Sequence, residues 1–238
     1  MKKRSLLILI ILVTGLCAGA KQLNDKLLNR PYADLKAWHL GFSVGLHMQD
    51  LQFTNNALIT ADGQQWFAEQ PGFSPGFCVN GLIDFRLGQH LNVRLAPGIW
   101  FGNKVVNFRD AASGAVERQN IKSTLLVMPV DLKFSATRFR NVRPYITGGV
   151  MPVFDVGKHR TSDLIQLKKF DTFLTVGFGL DTYFPYFKFI PEVKFCFGVM
   201  DALHHKRPDL ADVPDQLKYT NALERVSQKM IVFTFYFE

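Results

Sequence analysis

The sequence predicts an all-β fold: an eight-stranded antiparallel transmembrane β-barrel of the outer-membrane type, with short periplasmic turns and long extracellular loops. Three observations predict it. Apolar and polar residues alternate with a period of two in segment after segment. The links between those segments alternate short and long. The chain finishes on KMIVFTFYFE (229–238), which would be an aggregation-prone edge if it stood exposed in water.

The first element is an address. Lys2, Lys3 and Arg4 precede LLILIILV (6–13), and Ala18-Gly19-Ala20 supplies small residues for cleavage. This pattern predicts a secretory signal peptide over 1–20. The apolar run falls short of the about 20 residues that a spanning helix needs. Cys17 would suit a lipoprotein, but Leu16 is bulky where that signal wants a small residue. Residues 21–37 read as a short periplasmic segment. Leu23, Leu27 and Leu28 have helical spacing, so an interfacial helix is the alternative.

The barrel is expected over 38–238. WHLGFSVGLHM (38–48) sets Trp38, Leu40, Phe42, Val44, Leu46 and Met48 against His39, Gly41, Ser43, Gly45 and His47. GFCVNGLIDFR (76–86) puts Phe77, Val79, Ile83 and Phe85 on one face. Across a short link, LNVRLAPGIWF (91–101) does the same with Leu91, Val93, Leu95, Ile99 and Phe101. LVMPVDLKF (126–134) alternates Leu126, Met128, Val130, Leu132 and Phe134 with polar residues. RPYITGGVMPVF (143–154) is strand-like, but Gly148 and Gly149 leave its parity ambiguous. TFLTVGFGLDTYF (172–184), FIPEVKFCFGVM (189–200) and the terminal stretch complete the set.

Short links lie near 87–90, 135–142 and 185–188, and long ones near 49–75, 102–120, 155–170 and 201–228. A soluble lipocalin-like barrel would also have eight alternating strands. Glycines and charges favour the membrane form. The face opposite the large apolar residues carries Gly41, Gly45, Gly98, Gly177, Gly179 and Gly198, with Asp84, Arg86, Arg94, Asp131, Lys133, Glu192 and Lys194. Small residues and opposed charges suit a narrow, filled lumen, and buried charges must pair. Aromatics gather near strand ends as two expected girdles. Trp38, Phe85, Phe134, Tyr145, Tyr183, Phe187 and Phe237 lie towards the short turns, and Phe77, Trp100, Phe101 and Phe173 towards the long loops. In the last strand, Ile231, Phe233, Phe235 and Phe237 are expected to face lipid, closing the ring against 38–48.

The formal net charge of +8 is scattered, with no run suited to nucleic acid. Cys78 and Cys196, which remain after cleavage, are compatible with a disulfide or with two buried thiols.

LVMPVDLKF, RPYITGGV and IPEVKFCFG resemble the strand motifs of Bacteroidetes outer-membrane eight-stranded barrels. Within that group the chain most resembles the PorT family, called SprT in gliding bacteria. The features that carry this are its size, the Pro-Glu-Val-Lys-Phe strand, the HHKRPD loop and the FTFYFE ending. The resemblance implies an integral outer-membrane component of type IX secretion, needed in some species for gliding. It carries over no catalytic or binding residue and no cofactor.

Enzymatic chemistry finds little support in the residues. Ser43 and His47 share a face, but four positions at strand rise separate them by about 13 Å. His159, His204 and His205 fall in loops. His204-His205 with Asp201 and Asp209 lacks the spaced ligands of a metal site. No catalytic, cofactor or metal residue is therefore assigned. Expected partners are outer-membrane lipid and other secretion subunits, contacted through the outer wall and loops.

Overall fold

The computed structural model describes residues 29–56, 58, 63–111, 113–157, 163–204 and 217–238. The expected signal peptide, Cys17, His159, His205 and Asp209 lie outside the described residues.

Among the described residues the strands are β1 (Trp38–Asn55), β2 (Trp66–Glu69), β3 (Ser74–Arg86), β4 (Leu91–Leu95), β5 (Gly98–Asp110) and β6 (Val116–Val127). They continue with β7 (Val130–Ser135), β8 (Val142–Asp155), β9 (Phe170–Tyr183), β10 (Lys188–Gly198) and β11 (Leu223–Phe237). A single helical turn, α1 (Leu217–Asn221), precedes β11.

These pieces make eight antiparallel staves. β4 and β5 hold one register against β3, with Ile83 opposite Leu95 and Asn80 opposite Gly98. The ladder lapses between them at Pro97, which has no N–H to donate. β6 and β7 form another stave, interrupted at Pro129. Going round, β1 pairs β3, then β4–β5, β6–β7, β8, β9, β10 and β11, and β11 returns to β1. Closure leaves no edge among the staves, as a structure in lipid requires. β2 is an added strand alongside the far end of β5.

Burial alternates as the sequence pattern predicts. Phe42, Leu46, Phe77, Leu132, Ile146, Val176, Phe178, Phe233 and Phe235 are exposed on the outer wall. Ser43, Cys78, Asp84, Arg94, Asp131, Glu192 and Tyr236 are buried within. The glycine pair in β8 does not break the alternation: Arg143, Tyr145, Thr147, Met151 and Val153 face inward, and Ile146, Val150 and Phe154 outward.

Two expectations need correction. The expected loops at 49–75, 102–120 and 201–228 are shorter, because β1 continues to Asn55, β5 and β6 pair up to Arg109 opposite Val116, and β11 begins at Leu223. The staves project past the apolar band at the long-loop end, where polar residues mask their outward alternation. The girdles also lose members. Tyr145, Tyr183, Trp100 and Phe173 are each at most 4% exposed and lie inside the barrel. Residue type alone suggested lipid, but strand parity turns them inward. Trp38, Phe85, Phe134, Phe187, Phe77 and Phe101 remain exposed.

The interior is layered along the barrel axis. Nearest the short turns, Leu82, Ala96, Tyr145, Ile190 and Tyr236 pack together beside the main ion pairs. A middle apolar layer holds Cys78, Trp100, Leu125, Met151, Phe173, Cys196 and Met230. A cap at the long-loop end packs Leu51, Trp66, Phe108, Ile165, Leu203 and Tyr219. The interior is therefore more apolar than the inward pattern of small and charged residues suggested. Both cysteines are buried and free.

Candidate functional site

Two features of the lumen could carry function: a belt of ion pairs across its width, and a plug at the short-turn mouth.

Register builds the belt. Asp84 and Arg94 lie directly opposite on β3 and β4, and Arg94 is opposite Asp131 on β7. Arg94 is fully buried and reaches across the lumen. Its Nε and Nη2 donate to Asp84 Oδ2 at 3.2 and 3.1 Å, and its Nη1 donates to Glu192 Oε2 on β10 at 2.8 Å. The guanidinium sits 5.1 Å from the Tyr145 ring centroid and 4.9 Å from that of Tyr236, a cation–π arrangement. Tyr145 Oη donates to Glu192 at 2.7 Å. Lys194 Nζ donates to Asp131 at 2.5 Å and lies 3.2 Å from Glu192. Lys133 Nζ contacts both oxygens of Asp181 at 2.8 Å.

Of the residues singled out from sequence, Asp84, Arg94, Asp131, Lys133, Glu192 and Lys194 come together. Arg86 does not: it lies one step nearer the mouth and donates to Gly88 O. Asp181 and Lys188 belong to the network without having been counted. Lys188 sits 3.4 Å from Asp181 and 3.1 Å from Glu238. The inward parity of Asp181 was readable in TFLTVGFGLDTYF. Lys188 and Glu238 were harder to find, because each stands at the end of an element. With them, the acids Asp84, Asp131, Asp181, Glu192 and Glu238 face the cations Arg94, Lys133, Lys188 and Lys194, and His39 also contacts Glu238.

Inward glycines make room for this filling. A Cβ on Gly179 would fall 2.3 Å from Tyr145 Oη, one on Gly98 2.0 Å from Asn80 Oδ1, and one on Gly76 2.3 Å from the His47 ring. Large inward side chains therefore lie flat over glycines on the adjacent stave.

The Ser43 and His47 pair resolves into separate partnerships. Ser43 Oγ accepts from Asn80 Nδ2 at 3.0 Å. His47 stacks on Trp100 at 5.3 Å and its Nδ1 pairs with Gln49 Nε2. Nearer the long loops, buried Lys104 donates to Gln228 at 2.7 Å, and Gln228 donates to Asp171. Among the described residues no group of His, Cys, Asp and Glu has the arrangement of a metal site.

The plug is residues 29–37, within the segment read as a periplasmic lead-in. A 3₁₀ turn, Ala33–Leu35, carries Asp34 into the mouth. Asp34 accepts from Arg138 at 3.2 Å, from Arg143 at 3.3 Å and from the Tyr183 hydroxyl. Asn29 bonds Asn141 Oδ1 and Tyr183 O, and Arg30 donates to the Glu238 carbonyl at 3.2 Å. Arg138 also donates to the carbonyls of Asn29, Arg30 and Arg140, and its guanidinium lies 3.5 Å from the Tyr183 ring centroid. Arg30 and Arg140 have positive φ, 45° and 53°, so the two backbone strains meet at one arginine. Glu238 Oε1 lies 2.7 Å from His39 Nδ1. Burial disfavours the charge of Glu238, but Lys188 and the His39 bond outweigh it and hold its carboxyl well below the usual carboxylate range.

Comparison with known proteins places this architecture. The family model described as outer membrane protein beta-barrel domain matches residues 21–204. Among solved structures, the chain is similar to the N-terminal β-barrel domain of Pseudomonas aeruginosa OprF, at 13% identity and a TM-score of 0.37, covering 82% of this chain and 96% of that one. It is also similar to Ail, the attachment invasion locus protein of Yersinia pestis, at 10% identity and a TM-score of 0.35, covering 85% and 99%. No curated protein matches the sequence. The closed ring, the apolar outer wall and the family match together make this chain a member of the outer-membrane β-barrel domain family.

Proposed function

We propose that the protein is an accessory or assembly component of protein export across the outer membrane, of the type IX class, and not itself the conduit. In this reading the short turns, the plug and both chain ends face the periplasm, and a signal peptide delivers the chain there. The observation that carries it is the filled lumen. Stacked apolar and ionic layers and a docked mouth segment leave no path for a polypeptide, so any part in export runs through the outer surface and the two ends. The resemblance of LVMPVDLKF, RPYITGGV and IPEVKFCFG to the secretion-linked family supplies the class of process. A clean deletion tests it: cargo bearing type IX signals should accumulate in the periplasm while the membrane stays intact. Normal export in that strain would overturn the reading.

A second reading, a stand-alone structural or adhesive barrel, draws on the staves that project past the apolar band and the packed cap formed around Trp66, Phe108 and Tyr219. It predicts normal export and altered surface attachment in the same strain. A lipid A acyl enzyme is the weakest alternative. It predicts a lipid A mass shifted by one acyl chain.

A further inference from the structure

We infer that the short-turn end is a docking face for an acidic segment of a periplasmic polypeptide; this rests on the periplasmic placement of that end proposed above. The face is cationic. Arg30, Lys36, Arg86, Arg138, Arg140 and Arg143 gather there with His90, and among the described residues the acids beside them, Asp34 and Glu238, are already engaged. Its capacity to hold a carboxylate is already in use. Asp34 is gripped by two guanidinium groups and a phenol, the charge-assisted geometry that arginine favours.

Two open grooves flank the plug. One of about 430 Å³ is lined by Asp34, Arg86, Gln89, His90, Arg138 and Arg143. The other, of about 510 Å³, is lined by Arg30, Lys36, His39 and Glu238 with Trp38 and Leu40 of the outer wall, and so lies at the rim. Tyr32, Phe139 and Tyr186 are exposed in the segments at this end, Tyr186 94% so, and the Arg140 guanidinium lies 5.4 Å from the Phe139 ring centroid. Arginine and tyrosine together are the residues that dominate protein-binding energetics. Anionic phospholipid would have the right charge, but lipid surrounds the staves, whereas Asp34, Arg138 and Arg143 lie over the closed mouth. A polypeptide lying over the mouth meets the groove between Asp34, Arg138 and Arg143 directly.

The test uses the full chain in nanodiscs of zwitterionic phosphatidylcholine, with a fluorescent polyglutamate peptide as probe and anisotropy as readout. Saturable binding that weakens with salt is expected. The triple variant Lys36→Glu, Arg86→Glu, Arg140→Glu should lose about tenfold or more in affinity. Arg225→Glu with Lys229→Glu, at the opposite end, should change nothing. Equal binding by the triple variant, or equal loss in the opposite-end variant, overturns the inference. So does a face that ignores the peptide but retains phosphatidylglycerol in an Arg86- and Arg140-dependent way. A heat-modifiable gel shift verifies that each variant is folded. In cells, a deletion that exports normally defeats the secretion reading and leaves peptide binding standing. A deletion that blocks export, paired with a folded triple variant that exports normally, defeats the docking face and leaves the secretion reading standing.

Discussion

Arg94 is the residue on which most of the lumen converges, touching groups from β3, β8, β10 and β11. Its burial makes it costly to strand. Removing one partner of a buried pair leaves an uncompensated charge, at a cost of about 3–5 kcal/mol. Glu192→Gln and Asp84→Asn should therefore each lower the urea midpoint for unfolding from lipid vesicles, followed by tryptophan fluorescence. At the mouth, the depressed titration of Glu238 contributes stability that is full above the unfolded glutamate value, about 4.3, and is lost as pH falls towards the folded value. Glu238→Gln should flatten that acid-side loss, read as the fraction folded against pH. The free, buried Cys78 and Cys196 should react with a maleimide only after denaturation and without prior reduction; labelling that needs a reductant would contradict the free thiols.

The staves show which parts of the pattern were readable. Alternation in WHLGFSVGLHM and TFLTVGFGLDTYF gave both faces directly, because period two needs only local sequence. Trp100 and Phe173 could have been placed by the same rule, since each sits between outward neighbours such as Ile99 and Phe101. Aromatic character suggested the girdle, but parity decides the face. The plug could not be read at all. Residues 29–37 have no period, and their partners are Arg138, Arg143 and Tyr183, more than a hundred positions away. The seam between β1 and β11 is tight in a way the glycine pattern made readable. A Cβ on Gly45 would fall 2.4 Å from Phe233 O and one on Gly41 2.2 Å from Phe237 O, whereas outward Gly81 meets nothing nearer than 3.8 Å. Gly45→Val should cost about 1–3 kcal/mol through overpacking and reduce the heat-modifiable folded fraction on gels. Gly81→Ala should stay within about 0.5 kcal/mol of the parent.

At the scale of the whole molecule, the layers act as a stopper. The ion-pair belt, the middle apolar layer and the long-loop cap occupy successive depths, and residues 29–37 cover the remaining mouth. Planar-bilayer recordings of the purified protein should show no resolvable conductance. Clear single-channel steps would mean that the filling moves aside and would reopen the question of a conduit.

The plug has a temporal consequence. Its contacts come from the turn after β7, from the start of β8, from the end of β9 and from the residue after β11, across separations of up to 208 positions. That set lies along the contiguous staves from β7 to β11, each paired with the next. Residues 29–37 can complete these contacts only after β11, the last stave, has paired with β10, so their docking is a late signal: a seated segment reports that the half of the barrel from β7 to β11 is in place.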